Sequence, residues 1–384
     1  MFVGAVECGD ELHIIFKTNI VVERLLQNQQ PNAPGVQLHL DGSFKTLPKF
    51  FVQLLLLAAA FRDNVFSAYM VLMTRRKTAD YTAVFRYLAE KHPDLKIESF
   101  MMDFESAMRR GVAAVWPEPP QHGCWSHYTR RIDLYTSRTP LRALKAVENT
   151  MQLFRMIGCL PLLPADLMLR GLQEVIRPDV EQLDLTRAQA AGMQALLNHV
   201  QTYWLGRIGV DVLSVSGLRR RTNNDVESWN GTLTRTAQKT HLNVWEFIDT
   251  LRKVEGRDAT DFERVYKNDL QVRRSASVAS KESDRQIRKA TVKLHDSEKT
   301  TDDIRRFLTH MAFRNQRIIS PATAFIADER EPEERDADDV AWEEALAEAE
   351  ALTERQDAEQ HQDGVRREVP VQAQQVQQAV LTRV

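Results

Sequence analysis

The sequence predicts an α/β protein with a mixed sheet in the order β-β-β-α-β-α-β, interrupted by an all-helical insertion. Two observations predict strands: residues 36–41 alternate between apolar and polar, and residues 50–61 form an apolar run shorter than the roughly 20 residues that cross a membrane. A third observation predicts a helix after Thr78, where the apolar spacing changes from two residues to three or four. The 384 residues suffice for one elaborate domain or two modest ones.

The first three strands form a predicted meander. In the first strand, the apolar face begins at Val36 and the polar face ends at Asp41. The apolar run 50–61 is the second strand, residues 62–64 are a hairpin turn, and residues 65–74 are rich in β-forming side chains. These strands supply the antiparallel half of the predicted sheet.

The remaining core elements alternate between helix and strand. The helix that begins at Thr78 ends near His92, because a proline follows. Residues 96–102 are predicted to form a buried strand, residues 104–115 a helix, and residues 122–128 a fifth strand. Alternation of this kind favours parallel strands joined by helices.

Changes in composition and apolar spacing divide the chain into six parts. They are a short lead-in (1–35), a first part of the core (36–131), a helical insertion (132–215), a second part of the core with two helices (216–255), a charged helical region (256–326) and an acidic, then Gln-rich tail (327–384). We expect the tail to be mobile, because it is acidic and then Gln-rich, without aromatic side chains after Trp342.

The formal net charge of −2 is the sum of two unlike parts. Residues 328–384 hold 17 acidic and 6 basic side chains, whereas residues 1–327 hold 45 basic and 36 acidic ones. This asymmetry indicates that the basic part binds a polyanionic partner or is covered by the acidic tail of the same chain. The alternative is an ordinary soluble protein with a solvated tail. Three cysteines exclude a disulfide scaffold and suit a reducing compartment.

Three carboxylates occupy positions typical of a metal site. Asp41 ends the first strand, Asp103 follows the fourth, and Glu227 lies in the first turn of a helix capped by residues 223–225. Converging carboxylates repel one another unless cations neutralise them, and three suit two Mg²⁺ or Mn²⁺ ions that activate water and stabilise a leaving oxygen. Each acid has an alternative without metal: Asp41 as a turn residue, Asp103 as a helix cap and Glu227 as an acid in the first turn of a helix.

Five segments in order resemble the Mutator-like (MULE) transposase domain, and the resemblance extends from about 36 to 255. They are Leu40-Asp41-Gly42-Ser43-Phe44 with Gln53, Tyr81-Thr-Ala-Val-Phe85, Met102-Asp103-Phe104-Glu105, Cys124-Trp125-Ser126-His127 and the run from Arg221 to Asn230. The resemblance implies a ribonuclease H-like fold and an Asp-Asp-Glu active site at Asp41, Asp103 and Glu227. It also implies cut-and-paste transposition, in which a freed 3′-hydroxyl attacks target DNA.

Other residues are candidates for contact with DNA or metal. The resemblance implies that Cys124 and His127 lie close to bound DNA; the alternative is a buried thiol with a hydrogen-bonded histidine. A zinc site is not expected, because Cys-x-x-His is half of one and a strand would add only His122, on the same face as Cys124, without a fourth ligand. The basic run Arg219-Arg220-Arg221 precedes the Glu227 helix and is a candidate for phosphate contact.

The partners follow from the resemblance. We expect DNA as the substrate, a homo-oligomer that brings two DNA ends together, a soluble nuclear protein, and neither a membrane nor a small-molecule cofactor. Residues 1–35 offer only Cys8 and His13 as soft ligands, too few for the zinc-binding recognition module that such transposases usually carry. A catalytically inactive, transposase-derived nucleic-acid-binding or regulatory protein is therefore the alternative function.

Overall fold

A seven-stranded mixed sheet organises the protein in the computed structural model, which describes residues 2–27, 35–138, 140–240, 242–268 and 278–319. The strands are β1 (Phe2–Cys8), β2 (Glu11–Lys17), β3 (Val36–Ser43), β4 (Gln53–Phe61), β5 (Asn64–Met73), β6 (Ile97–Met102) and β7 (Gln121–Gly123). Their spatial order is β1-β2-β5-β4-β3-β6-β7.

The strand directions separate an antiparallel half from a parallel half. β3, β4 and β5 form an antiparallel meander, β6 runs parallel to β3, and β7 runs parallel to β6. Every residue of β4 from Gln53 to Ala59 is buried. Because both faces of this central strand are covered, its sequence is a continuous apolar run without alternation. The α/β class and the mixed sheet predicted from the sequence are confirmed.

The described residues form thirteen α-helices. They are α1 (Asn19–Gln27), α2 (Thr78–Lys91), α3 (Ser106–Val115), α4 (Trp125–Thr136), α5 (Glu148–Gly158), α6 (Ala165–Arg170), α7 (Arg177–Glu181), α8 (Arg187–His199), α9 (Val210–Leu213), α10 (Asn224–Ala237), α11 (Val244–Tyr266), α12 (Val278–His295) and α13 (Thr301–Arg314). Short 3₁₀ turns (141–146, 160–162 and 316–318) and π-helical segments (171–176 and 200–209) join several of them. None of the helices in the described ranges is long and apolar enough to cross a bilayer.

The apolar side chains form three clusters that separate the sheet from the insertion. One covers the face of the sheet against α2 and α3, and a second covers the opposite face against α10 and α11. The third fills the helical insertion and includes side chains of α12 and α13, such as Ile287 and Phe307. Residues 278–319 therefore pack on the insertion.

Residues 2–27 differ from the short lead-in expected from the sequence. β1 and β2 form a hairpin that turns at Gly9, where φ is +64°, and β2 pairs antiparallel with β5. The hairpin extends the sheet by two strands, and α1 packs against β5 and α11. The edge strand β1 has no fully buried residue, so its sequence lacks a clear apolar face.

The strand predicted at residues 122–128 is wrong beyond Gly123. β7 ends there, and α4 begins at Trp125. The buried side chains of Trp125, Tyr128 and Ile132 recur every three or four residues, which is helical spacing. Consequently His122 and Cys124 do not share one strand face. The predicted mobile tail (327–384) lies outside the described residues.

Candidate active site

The carboxyl ends of β3, β6 and β7 meet at one edge of the sheet because the three strands are parallel. Asp41 lies near the end of β3, Asp103 follows β6 directly, and Cys124 follows β7 as the N-cap of α4. The backbone N–H of Cys124 donates to the carbonyl of Met102 over 2.7 Å, which keeps the start of α4 beside the end of β6. The sheet thus places two acids and a thiol side by side.

Asn223 fixes the start of α10 against this edge. Its side-chain amide donates to the carbonyl of Leu40 over 2.8 Å, and its Oδ1 lies 3.0 Å from Nδ1 of His39. Its backbone N–H donates to Sγ of Cys124 over 3.2 Å. These bonds join residues far apart in sequence and place the first turn of α10, with Glu227, over the ends of β3 and β7.

The three acids converge on one imidazole. Ligand atoms of Asp41, Asp103 and His127 all lie within 4.8 Å of one another, and so do those of Cys124, His127 and Glu227. Oε1 of Glu227 lies 3.7 Å from Nε2 of His127. The geometry therefore brings together all three acids that the sequence singled out.

Asp41 lies in an unfavourable setting for a carboxylate. Burial raises its pKa to about 8, the charges of Asp103 and Glu227 act in the same direction, and the imidazolium of His127 opposes them. Nδ2 of Asn230 donates to its Oδ2 over 3.0 Å. A divalent cation would offset the repulsion among the acids, since carboxylate oxygens are the ligands that Mg²⁺ and Mn²⁺ prefer.

Cys124 and His127 shift each other's pKa beside the acids. Burial opposes the imidazolium of His127, but the neighbouring thiolate of Cys124 and the carboxylates of Asp103 and Asp41 outweigh it and raise its pKa to about 10. Burial likewise opposes the thiolate, but His127, the Ser126 hydroxyl and the Asn223 N–H together lower the pKa of Cys124. The site therefore holds a positive group among its negative ones.

These features agree with the comparison against protein families. The family model of the MULE transposase domain matches residues 37–131. We call this matched segment, residues 37–131, the MULE domain because of this similarity. No curated protein matches the chain. The matched range includes Asp41, Asp103, Cys124 and His127, whereas Glu227 enters the site from outside it.

A hydrogen-bonded network inside the MULE domain supports Asp103. The hydroxyl of Tyr81 lies 2.7 Å from Oε1 of Gln53 and 2.8 Å from Oε1 of Glu105. The backbone N–H of Glu105 donates to Oδ1 of Asp103 over 3.0 Å. Gly42 admits Gln53 to this network, because a Cβ at position 42 would lie 2.2 Å from Nε2 of Gln53. Because Asp41 and Gly42 lie within β3, the glycine serves this close packing and not a turn.

The site residues of the MULE domain fit a metal by their donor chemistry. Asp41 and Asp103 each offer a carboxylate oxygen within 4.8 Å of the other. In the part of the chain that the structure describes, Oε1 of Glu227 is buried without a hydrogen-bond partner. A buried carboxylate oxygen left unpaired is costly unless an ion or water satisfies it. All three acids are thus available as oxygen ligands.

The basic run 219–221 divides into one exposed and two constrained arginines. Arg219 is 60% exposed and forms an ion pair with Asp63 at the protein surface. Arg220 is 14% exposed and pairs with Asp225, and Arg221 is 7% exposed and pairs with Asp284 of α12. Burial lowers the pKa of the Arg221 guanidinium despite this partner. Of the three, Arg219 is the one accessible to a phosphate.

Several site residues carried no assigned role in the sequence interpretation. Arg130 is 58% exposed and donates to Oε2 of Glu227 over 3.4 Å. Asn230 lies one helical turn after Glu227, so the spacing of α10 could have identified it. His39 has no such signal, because its contact with Asn223 joins distant parts of the chain. His122 lies outside the cluster, with Nδ1 3.2 Å from the carbonyl of Ser214.

Proposed function

We propose that the MULE domain and α10 together form the catalytic core of a Mutator-like DDE transposase, which cleaves and joins DNA strands with two divalent cations, Mg²⁺ or Mn²⁺. One observation carries this proposal: Asp41 and Asp103 offer oxygens within 4.8 Å of each other, and Glu227 contacts the same imidazole. Acids at this separation suit cations about 3.5–4 Å apart.

The order of the five inner strands supports a ribonuclease H-like core. An antiparallel meander (β5-β4-β3) continues into two parallel strands (β6 and β7), with α2 and α3 as the connections. The insertion separates β7 from α10, in agreement with the interrupted fold that the resemblance implies. Such a core places its acids at the carboxyl edge of the parallel strands.

Asp41, Asp103 and Glu227 would hold the cations. When bound, two divalent ions supply charge neutralisation at the phosphodiester and lower the pKa of the attacking water. The chain itself orients the ligands: Asn230 holds Oδ2 of Asp41, and the backbone of Glu105 holds Oδ1 of Asp103. In phosphoryl transfer, positioning of the reactants and neutralisation of charge supply most of the rate.

Exposed basic and aromatic side chains support DNA as the substrate. Arg130 lies beside Glu227, whereas Arg219 pairs with Asp63 in the β4–β5 turn, at the other end of the sheet. The β3–β4 loop adds Phe50, which is 81% exposed with φ of +81°, and Lys49, whose ammonium lies 5.5 Å from the Phe50 ring. A bulky residue in the left-handed region is strained, and exposed aromatics stack on bases.

The proposal is tested with the full chain and supercoiled or end-labelled DNA. With Mg²⁺ or Mn²⁺ we expect nicking and strand joining, and we expect Asp103→Asn to reduce both by at least about a thousandfold, because a ligand oxygen is lost. Asp94→Asn is the matched control, since Asp94 is exposed in the turn before β6, at the opposite end of that strand. Activity that survives Asp103→Asn excludes this function.

One observation favours a non-catalytic alternative, a transposase-derived DNA-binding or regulatory protein. The imidazolium of His127 lies within 4.8 Å of Asp41 and Asp103 and already neutralises part of their charge. A protein of this kind would bind DNA equally well with EDTA or Mg²⁺ and would never cleave it. Binding measured in both buffers, together with product analysis, separates the two functions.

A further inference from the structure

We infer that Cys124, His127 and Glu227 form a zinc site that overlaps the acidic cluster. Their ligand atoms, a thiol sulfur, a ring nitrogen and a carboxylate oxygen, lie within 4.8 Å of one another. Cys124 and His127 belong to the MULE domain, whereas Glu227 arrives on α10. The sequence alone offers half a zinc site, and the fold supplies the third ligand.

The spacing of these atoms is close to that around a tetrahedral ion. Bonds of about 2.0–2.3 Å place neighbouring ligand atoms about 3.4 Å apart. Nε2 of His127 and Oε1 of Glu227 are 3.7 Å apart, and the contacts with Cys124 fall within 4.8 Å. Small rotations of the side chains would therefore close the remaining gaps. Three protein ligands leave a fourth position for water or a phosphate oxygen.

Glu227 leaves a buried ligand atom unsatisfied. Its Oε1 is buried and has no hydrogen-bond partner among the residues that the structure describes, and Nε2 of His127 lies 3.7 Å away. A buried carboxylate oxygen without a partner is costly, and an ion held between this oxygen, the imidazole and the thiol sulfur would satisfy it.

The surroundings of Cys124 suit a thiolate ligand. Sγ accepts the backbone N–H of Asn223 over 3.2 Å and lies 2.9 Å from the hydroxyl of Ser126. Such bonds orient a metal ligand and are typical of the shell around zinc. Sulfur and imidazole ligands favour Zn²⁺ strongly over Mg²⁺, which prefers oxygen alone. The site would therefore select zinc in the presence of excess magnesium.

Zinc at this site would compete with the proposed catalytic ions, because both need Glu227. This consequence rests on the proposed function, whereas zinc binding itself does not. We expect zinc to suppress the magnesium-dependent cleavage of DNA at least tenfold, and Cys124→Ser to relieve the suppression.

Binding is tested with Co²⁺ as a spectroscopic substitute for zinc, on the full chain without DNA. We expect the intense near-ultraviolet band of a cobalt–thiolate bond, lost on titration with one equivalent of Zn²⁺. Cys124→Ser should abolish the band, and Glu227→Gln should weaken Co²⁺ binding at least about tenfold. Cys8→Ser is the matched control and should retain the band, since Cys8 ends β1, away from the site.

Each outcome decides one question. The inference fails if the wild-type chain gives no band, or if the band persists in Cys124→Ser. A band without any DNA cleavage in Mg²⁺ supports the zinc site and rejects the catalytic function. Cleavage without a band does the reverse.

Discussion

Asn230 donates a side-chain hydrogen bond to Oδ2 of Asp41 over 3.0 Å, which joins the Glu227 helix directly to the first acid of the sheet. Both residues are buried, so the bond is sheltered from competing water. It links the matched MULE domain to a helix outside the match. The orientation of Asp41 therefore depends on how α10 docks.

Asn230→Ala should reduce the metal-dependent cleavage rate by about 10–100-fold, because the loss of a bond that orients a metal ligand has effects of this size. Single-turnover rates at saturating Mg²⁺ measure it. Asn224→Ala, at an exposed position on the same helix, should leave the rate unchanged. Equal rates for both variants and the wild-type chain would show that the bond does not orient the site.

Gly42→Ala should destabilise the fold by about 1–3 kcal/mol, because the added methyl group overlaps Nε2 of Gln53 at 2.2 Å. Urea unfolding measures this difference. Gly256→Ala in α11 is the control: a Cβ there meets nothing within 4 Å, so this change should be neutral or stabilise by up to about 1 kcal/mol. Equal stability of Gly42→Ala and the wild-type chain would contradict the close approach.

Stability should fall as the pH drops from about 6.5 to about 4, partly because of His199. Burial lowers the pKa of His199 to about 4, from the usual 6.5, so the unfolded chain binds its proton first in this window. At about 1.4 kcal/mol per pKa unit, the full effect is roughly 3 kcal/mol.

His199→Phe tests this effect, because it keeps an aromatic ring against Tyr203, whose centroid lies 5.0 Å away, and removes the titration. The slope of unfolding free energy against pH should flatten relative to the wild-type chain. His295→Phe, at a position 81% exposed, should leave the slope as it is. A slope that is equally steep in all three proteins would assign the acid sensitivity to other groups.

Substitutions of Arg219 and Arg221 should have different effects, one on DNA binding and the other on stability. Arg221→Met should cost about 1–3 kcal/mol, because it removes a buried guanidinium that donates to the carbonyl of Leu218 over 2.9 Å, whereas its partner Asp284 is 46% exposed and can be hydrated. Arg219→Met should change stability by less than about 1 kcal/mol, since its pair with Asp63 is exposed. It should instead weaken DNA binding in a salt-dependent way. Thermal unfolding and salt titrations of DNA binding measure the two effects.

Deletion of residues 328–384 should strengthen nonspecific DNA binding at low salt. The segment holds 17 acidic and 6 basic side chains, which compete with DNA for the basic remainder of the chain. The gain should shrink as salt rises, because screening weakens both interactions. Equal affinity of the truncated and full chains at all salt concentrations would show that the segment does not compete with DNA.

Much of the core could be predicted because its signals are local. The alternation at 36–41, the apolar run at 50–61 and the helical spacing after Thr78 each reflect burial of one face of one element. The strand expected at 122–128 was wrong because a three-residue strand has no period of its own. The β1–β2 hairpin was missed because its outer strand is largely exposed.

Residue type and short-range spacing were enough to predict the α/β class, the mixed sheet and the MULE resemblance. Which distant groups meet could be read only from the folded chain. The docking of α10 through Asn223 placed Glu227 beside Cys124 and His127, and buried Arg221 while leaving Arg219 exposed. Contacts between residues about a hundred or more positions apart arise from strand order and helix packing, which no local pattern encodes.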